Sequence, residues 1–152
     1  MPEPVITTAR SARHDLPYLF PGQAQKEAFV NEALARIDAL LQPAVIAELA
    51  DPPPAPAPGD CYIVADSPTG EWAGHASAIA IRAENQWLFA PARAGMRLHD
   101  AQAGGLAAFD PAEGWRRTAA PAAPAGGATQ DAEARAALSA IVAGLRNLGI
   151  FS

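Results

Sequence analysis

The chain has 152 residues, a length that suits one compact domain and is too short for two independent cores. Its formal charge of -5 and its scattered Lys and Arg residues argue against nucleic acid, because phosphate recognition needs a concentrated basic face. No apolar run approaches the roughly 20 residues that cross a bilayer, and the first residues lack the pattern of a secretory signal. We therefore expect a soluble protein with neither a nucleic-acid nor a membrane partner.

The first part of the chain predicts an arm followed by a helix. Residues 1–15 show no hydrophobic periodicity, which predicts an extended N-terminal arm held in place by a neighbouring segment. The next segment, GQAQKEAFVNEALARIDALLQP, is bounded by proline on both sides and predicts a helix over 22–43. Apolar residues recur along it at steps of four and three, which predicts a core-facing stripe. The stripe consists of Val30, Leu34, Ile37 and Leu41.

Polar side chains crowd the start of this helix, in a chain that otherwise prefers alanine. They are Gln23, Gln25, Lys26 and Asn31. The first backbone N–H groups of a helix have no partners within it, and side-chain amides can bridge to nearby segments. Our hypothesis is that these residues latch the helix to the sheet and loops, rather than bind a ligand.

Short segments typical of strands follow the helix and alternate with turn residues. They are AVIAEL, CYIVAD, SAIAIRA, QWLFAPA, MRLHDA, LAAFD and GWRR, and the proline-rich DPPPAPAPGD separates the first two. This spacing is typical of an antiparallel meander, which needs a cover on one face. We predict an α+β domain over 16–118, in which the N-terminal helix packs on a small antiparallel β-meander.

The end of the chain predicts a linker and a second helix. Residues 119–130 are rich in alanine, proline and glycine. The helix is expected over 131–149, with Thr129 or Asp131 as its cap and Gly149 as its stop. Apolar residues alternate steps of four and three along it and form a heptad seam. The seam is Ala134, Leu138, Ile141, Leu145 and Leu148.

This seam favours association between copies of the chain. Two heptads are fewer than a clear coiled coil requires, so a helix folded back on its own sheet stays an alternative. The linker frees the helix from its domain, and for that reason we predict that the seam is a subunit interface in a homo-oligomer. The sequence does not choose between three and five copies.

The sequence contains no clear catalytic or metal-binding pattern. His14, His75 and His99 lie far apart and have no companion cysteines, so no metal site is expected. Cys61 heads an apolar strand and predicts a buried free thiol. We expect no cofactor and no enzymatic activity.

Two other function classes stay open. Trp72 lies in a glycine-flanked loop, where an exposed indole could stack on a sugar ring, and this motivates a carbohydrate-binding domain that contacts capsule polysaccharide. A cell-envelope hydrolase is the less favoured alternative, since its carboxylate pair would come from loop acids that usually cap turns. Those acids are Asp66, Glu71, Asp100 and Asp110.

An ordered string of motifs between residues 15 and 117 resembles a known family. The motifs are LP (16–17), GQAQK (22–26), NEAL (31–34), DAL (38–40), PAPGDCYIV, TGEWAGHASAIAI, WLFAPARAG and GW. They resemble the alphaproteobacterial phage-associated domain of unknown function, which occurs in prophage tail or spike proteins and in gene transfer agents. No catalytic residues come with this resemblance.

The resemblance implies a structural role. It implies a head-spike base or adaptor that joins the capsid protein of a phage-like particle to a spike or tail fibre protein. Host polysaccharide would then be contacted indirectly, through the fibre. The chain would be made in the bacterial cytoplasm and become part of an extracellular particle.

Overall fold

The computed structural model describes residues 9–19, 21–22, 26–127 and 131–151, which form two compact units divided between Ala92 and Arg93. The regular elements of these residues are two α-helices, eight short strands and one 3₁₀ turn, Gly70–Trp72. In chain order they are α1 (Glu27–Leu41), β1 (Ala44–Val45), β2 (Glu48–Leu49), β3 (Cys61–Val64), β4 (Ile79–Ala83), β5 (Gln86–Ala90), β6 (Arg97–Asp100), β7 (Gly105–Asp110), β8 (Gly114–Arg117) and α2 (Ala132–Asn147). The predicted α+β class is confirmed.

The sheet of the first unit has the strand order β2-β3-β4-β5. The pairs β3–β4 and β4–β5 are antiparallel, and Ile81 lies opposite Cys61 on one side and Leu88 on the other. The pair β2–β3 is parallel, with Glu48 opposite Ile63, so this sheet is not a pure meander as predicted. The proline-rich segment between these two strands is long enough to return the chain to the same end of the sheet.

The core of the first unit lies around β3 and β4. All four residues of β3 are buried, as are the first three of β4. A strand that is buried on both faces reads as a continuous apolar run, which explains the CYIV and AIAI segments. Helix α1 contacts β4 and β5 of this sheet, as the predicted cover of the sheet should.

Helix α1, however, presents the opposite face to the one predicted. Val30, Ile37 and Leu41 are 39%, 50% and 61% exposed, whereas Asp38 and Ala39 are only 3% exposed. The predicted core-facing stripe is therefore wrong, and only Leu34 of its four residues is half-buried. Small alanines on the inner face allow the helix to lie close to the sheet, and Asp38 is buried because it has backbone partners.

Those partners belong to a small hairpin in the arm. The N–H of Ser11 donates to the carbonyl of Leu16 at 3.0 Å, and the N–H of Tyr18 donates to the carbonyl of Ala9 at 3.1 Å. Arg10 and Pro17 form an antiparallel bridge. Residues 9–15 are thus folded back on the chain instead of extended, and residues 1–8 of the predicted arm lie outside the described residues.

The second unit contains a three-stranded antiparallel meander, β6-β7-β8. Burial alternates along β6, so Leu98 and Asp100 point inward, 2% exposed each, while His99 points outward. Asp100 is neutralised by an ion pair with Arg117 at 2.5 Å. The predicted domain over 16–118 spans parts of both units, and its boundaries stay predictions.

Candidate functional site

The seam of α2 is the main candidate for an interaction surface, and α2 begins and ends as its sequence predicts. Asp131 is the N-cap: its Oδ1 accepts a hydrogen bond from the N–H of Ala134 at 2.8 Å. The alternative cap, Thr129, lies outside the described residues. At the other end Gly149 adopts a positive φ of 68° and its N–H donates to the carbonyl of Arg146. A glycine in this left-handed backbone conformation terminates the helix.

The helix α2 contains no buried residue. Three members of its seam, Leu138, Ile141 and Leu148, are 49%, 57% and 74% exposed, and Leu145 is half-buried. Ala134 is exposed as well. The predicted subunit interface is thus an apolar face open to water, and its role as an interface stays a prediction.

The linker before α2 is held against the helix. Arg135 donates hydrogen bonds to the carbonyls of Pro124 and Gly126, at 2.8 and 2.5 Å. Residues 120–124 and one side of α2 line a shared apolar cleft that includes Leu138. The described residues of the linker therefore pack on α2, and Leu138 of the seam lies in the cleft between them, whereas Ile141 and Leu148 remain largely exposed.

A second apolar surface lies on α1, as a consequence of its reversed orientation. We call it the outer face of α1; it consists of Phe29, Val30, Ile37 and Leu41. Phe29 is 80% exposed, the largest exposed fraction of the large apolar side chains in the described residues. Single exposed apolar residues are common, but four large exposed apolar side chains on one helix are typical of a contact surface.

The predicted latch residues are only partly described. Gln23 and Gln25 lie outside the described residues. Lys26 occupies the N-cap position of α1, is exposed, and provides no side-chain cap. Asn31 accepts a hydrogen bond from the N–H of Leu19 at 2.8 Å and donates one to the carbonyl of the same residue at 3.1 Å. It thereby joins α1 to the segment before the helix, and the latch hypothesis as a whole stays a prediction.

Other residues that attach α1 were missed from the sequence. Arg13 donates to the carbonyls of Ala39 and Gln42, at 3.0 and 3.2 Å, and so satisfies the end of the helix. Arg36 donates to the carbonyl of Phe89 at 2.5 Å. The signal that the sequence offers is the position of Asp38 between Ile37 and Ala39, since an acid that is buried among apolar residues needs donors from elsewhere in the chain.

Trp72 offers no surface for a sugar. It is fully buried, and its ring centroid lies 5.9 Å from that of Tyr62 and 5.0 Å from that of Trp87. An indole enclosed in this way has neither face open to a ligand, so the suggested stacking role is a misreading of a core residue. Its glycine-flanked loop folds inward as the 3₁₀ turn.

The side chains considered for catalysis are buried or hydrogen-bonded within the protein. Cys61 is buried, and burial raises its pKa to about 11 although the nearby Arg13 lowers it. Asp100 accepts hydrogen bonds from the N–H of Ala103 and from Arg117, and Asp110 accepts one from the N–H of Ala112. Within the described residues there is no group of three or more His, Cys, Asp or Glu that could hold a metal, and no helix long and apolar enough to cross a membrane.

Comparison with known proteins gives one match. The profile of the family described as "Protein of unknown function (DUF2793)" matches residues 30–116, which is 87 of the 152 residues. The match begins within α1 and ends within β8, so it covers the strands of both units. No curated protein matches the chain.

Proposed function

This chain belongs to the DUF2793 family of proteins of unknown function, and from that premise we propose that it is a structural component of a phage-like particle. The role we propose is that of a head-spike base or adaptor in a gene transfer agent, which joins the capsid to a host-binding fibre. The string of motifs from GQAQK to the last GW supports this assignment. Its partners are then further copies of itself, a capsid protein and a fibre protein.

The observation that carries the proposal is the exposed seam of α2. A capped helix of 16 residues with no buried residue has little tertiary packing to stabilise it. Its apolar residues nevertheless follow the steps of four and three that pack helices against one another. An exposed apolar surface of this kind is stabilised when another protein covers it. We therefore expect the chain to act as a subunit of an assembly.

The two alternatives lack a supporting observation. Carbohydrate binding was motivated by Trp72, which is buried. Hydrolysis was motivated by loop acids. Two of these already have structural partners: Asp100 forms an ion pair with Arg117, and Asp110 accepts a hydrogen bond from a backbone N–H in its turn. We therefore propose that host polysaccharide is contacted by the fibre and that the chain itself catalyses no reaction.

The test is incorporation into particles. Particles released by the source bacterium are purified on a density gradient, and the chain and the capsid protein are quantified by mass spectrometry across the fractions. We expect the chain to peak with the capsid protein in the DNA-containing fractions. A chain that remains with the cell lysate while the capsid protein is released in particles contradicts the proposal.

Two variants connect this test to the seam. Ile141→Glu places a charge in the middle of the seam and is expected to reduce incorporation at least tenfold. Ala136→Glu introduces the same charge at an exposed position of α2 outside the seam and is the matched control. Equal incorporation of the two variants would mean that the seam is not needed for assembly into particles.

A further inference from the structure

A small cavity lies in the first unit, between the hairpin of the arm, α1 and β4. Its volume is about 130 Å³, several times the space that one bound water needs. Three of the side chains that line it are the arginines Arg10, Arg13 and Arg82. We propose that this cavity is a binding site for one carboxylate group, which Arg82 and the hydroxyl of Tyr18 hold by hydrogen bonds.

Arg82 provides the observation that points to a ligand. Its Nε is buried, and among the described residues it has no hydrogen-bond acceptor. A buried donor without an acceptor is costly, and the planar fork of a guanidinium matches the two oxygens of a carboxylate. The guanidinium lies over the ring of Trp87, 5.4 Å from the ring centroid. This contact holds the side chain in place and leaves its N–H donors available to a ligand.

The wall that carries Arg82 is fixed by backbone contacts. The N–H of Arg82 donates to the carbonyl of Asp60, and the N–H of Gly59 donates to the carbonyl of Arg82, both at 2.8 Å. Gly59 also lies against the hairpin of the arm, since a Cβ on it would be 2.7 Å from the Cβ of Ala12. Asp38 holds the same hairpin to α1. A site with fixed walls loses little conformational freedom when a ligand binds.

Tyr18 supplies a neutral hydrogen-bond donor to the same cavity. Burial raises the pKa of its hydroxyl, and the negative charges of Asp38 and Glu84 raise it further. The hydroxyl therefore keeps its proton at neutral pH and can donate to an oxygen of the ligand. A carboxylate that bridges this hydroxyl and the fork of Arg82 uses both of its oxygens.

The charges around the cavity favour a group with a single negative charge. Asp38 and Arg13 are engaged within the fold: Asp38 accepts two backbone N–H groups, and Arg13 donates to two carbonyls at the end of α1. Arg10, Arg82 and the exposed Glu84 remain, and together they leave one excess positive charge. A carboxylate balances this charge, whereas a phosphate group, with close to two negative charges at neutral pH, would reverse it.

The carboxylate can come from two sources. One is a small free carboxylic acid that enters the cavity whole. The other is an Asp or Glu side chain of a partner protein, which would insert its carboxylate as an anchor of the contact. Binding of a carboxylate does not depend on the proposed function. The second source does rest on it, because it treats the chain as a subunit of an assembly.

An acetate titration of the full-length chain, labelled with a nitrogen isotope and followed by NMR, tests the site. The readouts are the Nε–H signal of Arg82, which is assigned by its loss in Arg82→Lys, and the backbone N–H signals of Gly59 and Ala83. We expect acetate to shift these signals saturably, with a dissociation constant on the order of 1–10 mM, which is within reach of so small a ligand. Acetamide has the same shape without the charge and is expected to bind at least tenfold more weakly. Sodium chloride keeps the ionic strength constant.

Variants assign the contact to particular side chains. Arg82→Lys keeps the charge and loses the fork, and Tyr18→Phe removes only the hydroxyl. Each is expected to weaken acetate binding at least fivefold, as read from the Gly59 signal. Arg97→Lys, at an exposed position of the second unit, is the matched control and should leave the affinity unchanged. Ala35→Leu fills the cavity without changing any charge and should abolish binding. The other N–H signals of each variant show that the chain is folded.

Glu84 tests the internal alternative, in which this residue is itself the acceptor for Arg82. Under the proposal, Glu84→Gln removes a repelling charge and strengthens acetate binding several-fold. A lower melting temperature of Glu84→Gln with an unchanged acetate affinity identifies Glu84 as the internal partner and overturns the inference. The absence of any saturable shift below about 100 mM acetate overturns it as well. Tighter binding of inorganic phosphate than of acetate overturns the choice of a carboxylate.

Two measurements distinguish the sources. A free carboxylic acid is expected in native mass spectra of the chain purified from the source bacterium, as an added mass that Arg82→Lys loses. A partner side chain predicts instead that Arg82→Lys lowers incorporation into particles at least tenfold, whereas Arg97→Lys does not. Acetate binding with neither result means an adventitious site and overturns the inference. Because the titration uses the isolated chain, its failure leaves the proposed function standing, and absence of the chain from particles leaves a measured acetate site standing.

Discussion

The substitution Asp38→Ala tests directly which face of α1 is buried. The carboxylate of Asp38 is 3% exposed and accepts two backbone hydrogen bonds, from the N–H of Arg13 at 2.9 Å and from that of His14 at 2.7 Å. Alanine removes both acceptors and leaves two N–H groups of the arm hairpin without a partner in a partly buried setting. The arm is then expected to detach from α1.

The expected cost follows from these two bonds. A buried donor that loses its acceptor costs about 1–3 kcal/mol, and hydrogen bonds to a charged group lie towards the upper end, so the substitution should cost about 3 kcal/mol. That is a large part of the roughly 5–15 kcal/mol that stabilises a natural domain. Ile37→Ser, on the outer face of α1, should change the free energy of unfolding by less than about 0.5 kcal/mol in a monomer.

Urea unfolding of the full chain, followed by tryptophan fluorescence, measures both effects. Both substitutions are made in the Ile141→Glu background, so that self-association does not add to the stability of α1. A larger loss for Ile37→Ser than for Asp38→Ala would refute the reasoning, because it would mean that the apolar stripe faces the core after all.

Three further predictions concern the two units. Gly59 has a φ of 90° and a Cβ there would lie 2.7 Å from the arm hairpin, so Gly59→Ala should destabilise the chain by about 2 kcal/mol in thermal unfolding. Arg117→Met leaves Asp100 buried and without its counter-ion, and should cost about 3 kcal/mol in urea unfolding, whereas Arg116→Met, at an exposed pair, should cost less than about 1 kcal/mol. Burial raises the pKa of Cys61 from 9.0 to about 11, so the unfolded chain loses this proton first and stability should decline between pH 9 and pH 11. Cys61→Ala should flatten that part of the pH profile, and an unchanged decline would assign it to other groups.

Strand positions could be predicted because their signals are local. The predicted segments CYIVAD, QWLFAPA and GWRR became β3, β5 and β8; the first two strands end two residues earlier than predicted, and the third has the predicted bounds. The first two segments are apolar runs beside glycine, asparagine or proline turns, and the third begins at the glycine of a turn. Helix α2 was predictable for the same reason, since its cap and its stop lie within the segment itself.

The orientation of α1 could not be predicted, because it depends on distant residues. The apolar stripe suggested a core face. An apolar stripe identifies the buried side of a helix only when that side packs on the helix's own domain. Here Asp38 is turned inward by backbone donors of Arg13 and His14, which are more than 20 residues away in the sequence. No local pattern encodes such a contact.

The apolar stripes of the two candidate surfaces could be predicted from the sequence, but whether each stripe is exposed or buried could not. The seam of α2 was visible as a heptad pattern, and its exposure agrees with a helix that has no place in the core of its unit. The outer face of α1 was visible too, but as a predicted core. Trp72 shows the reverse case, because a glycine-flanked loop suggested exposure and the chain folds it inward.

Self-association is the central claim, and the mass of the chain in solution tests it most directly. Size-exclusion chromatography with light scattering is run on the full-length protein over a range of concentrations, beside Ile141→Glu and Ala136→Glu. We predict a multiple of the 15.7 kDa chain mass for the unaltered protein and for Ala136→Glu, and 15.7 kDa for Ile141→Glu. A mass of 15.7 kDa for all three proteins at every concentration would contradict the account.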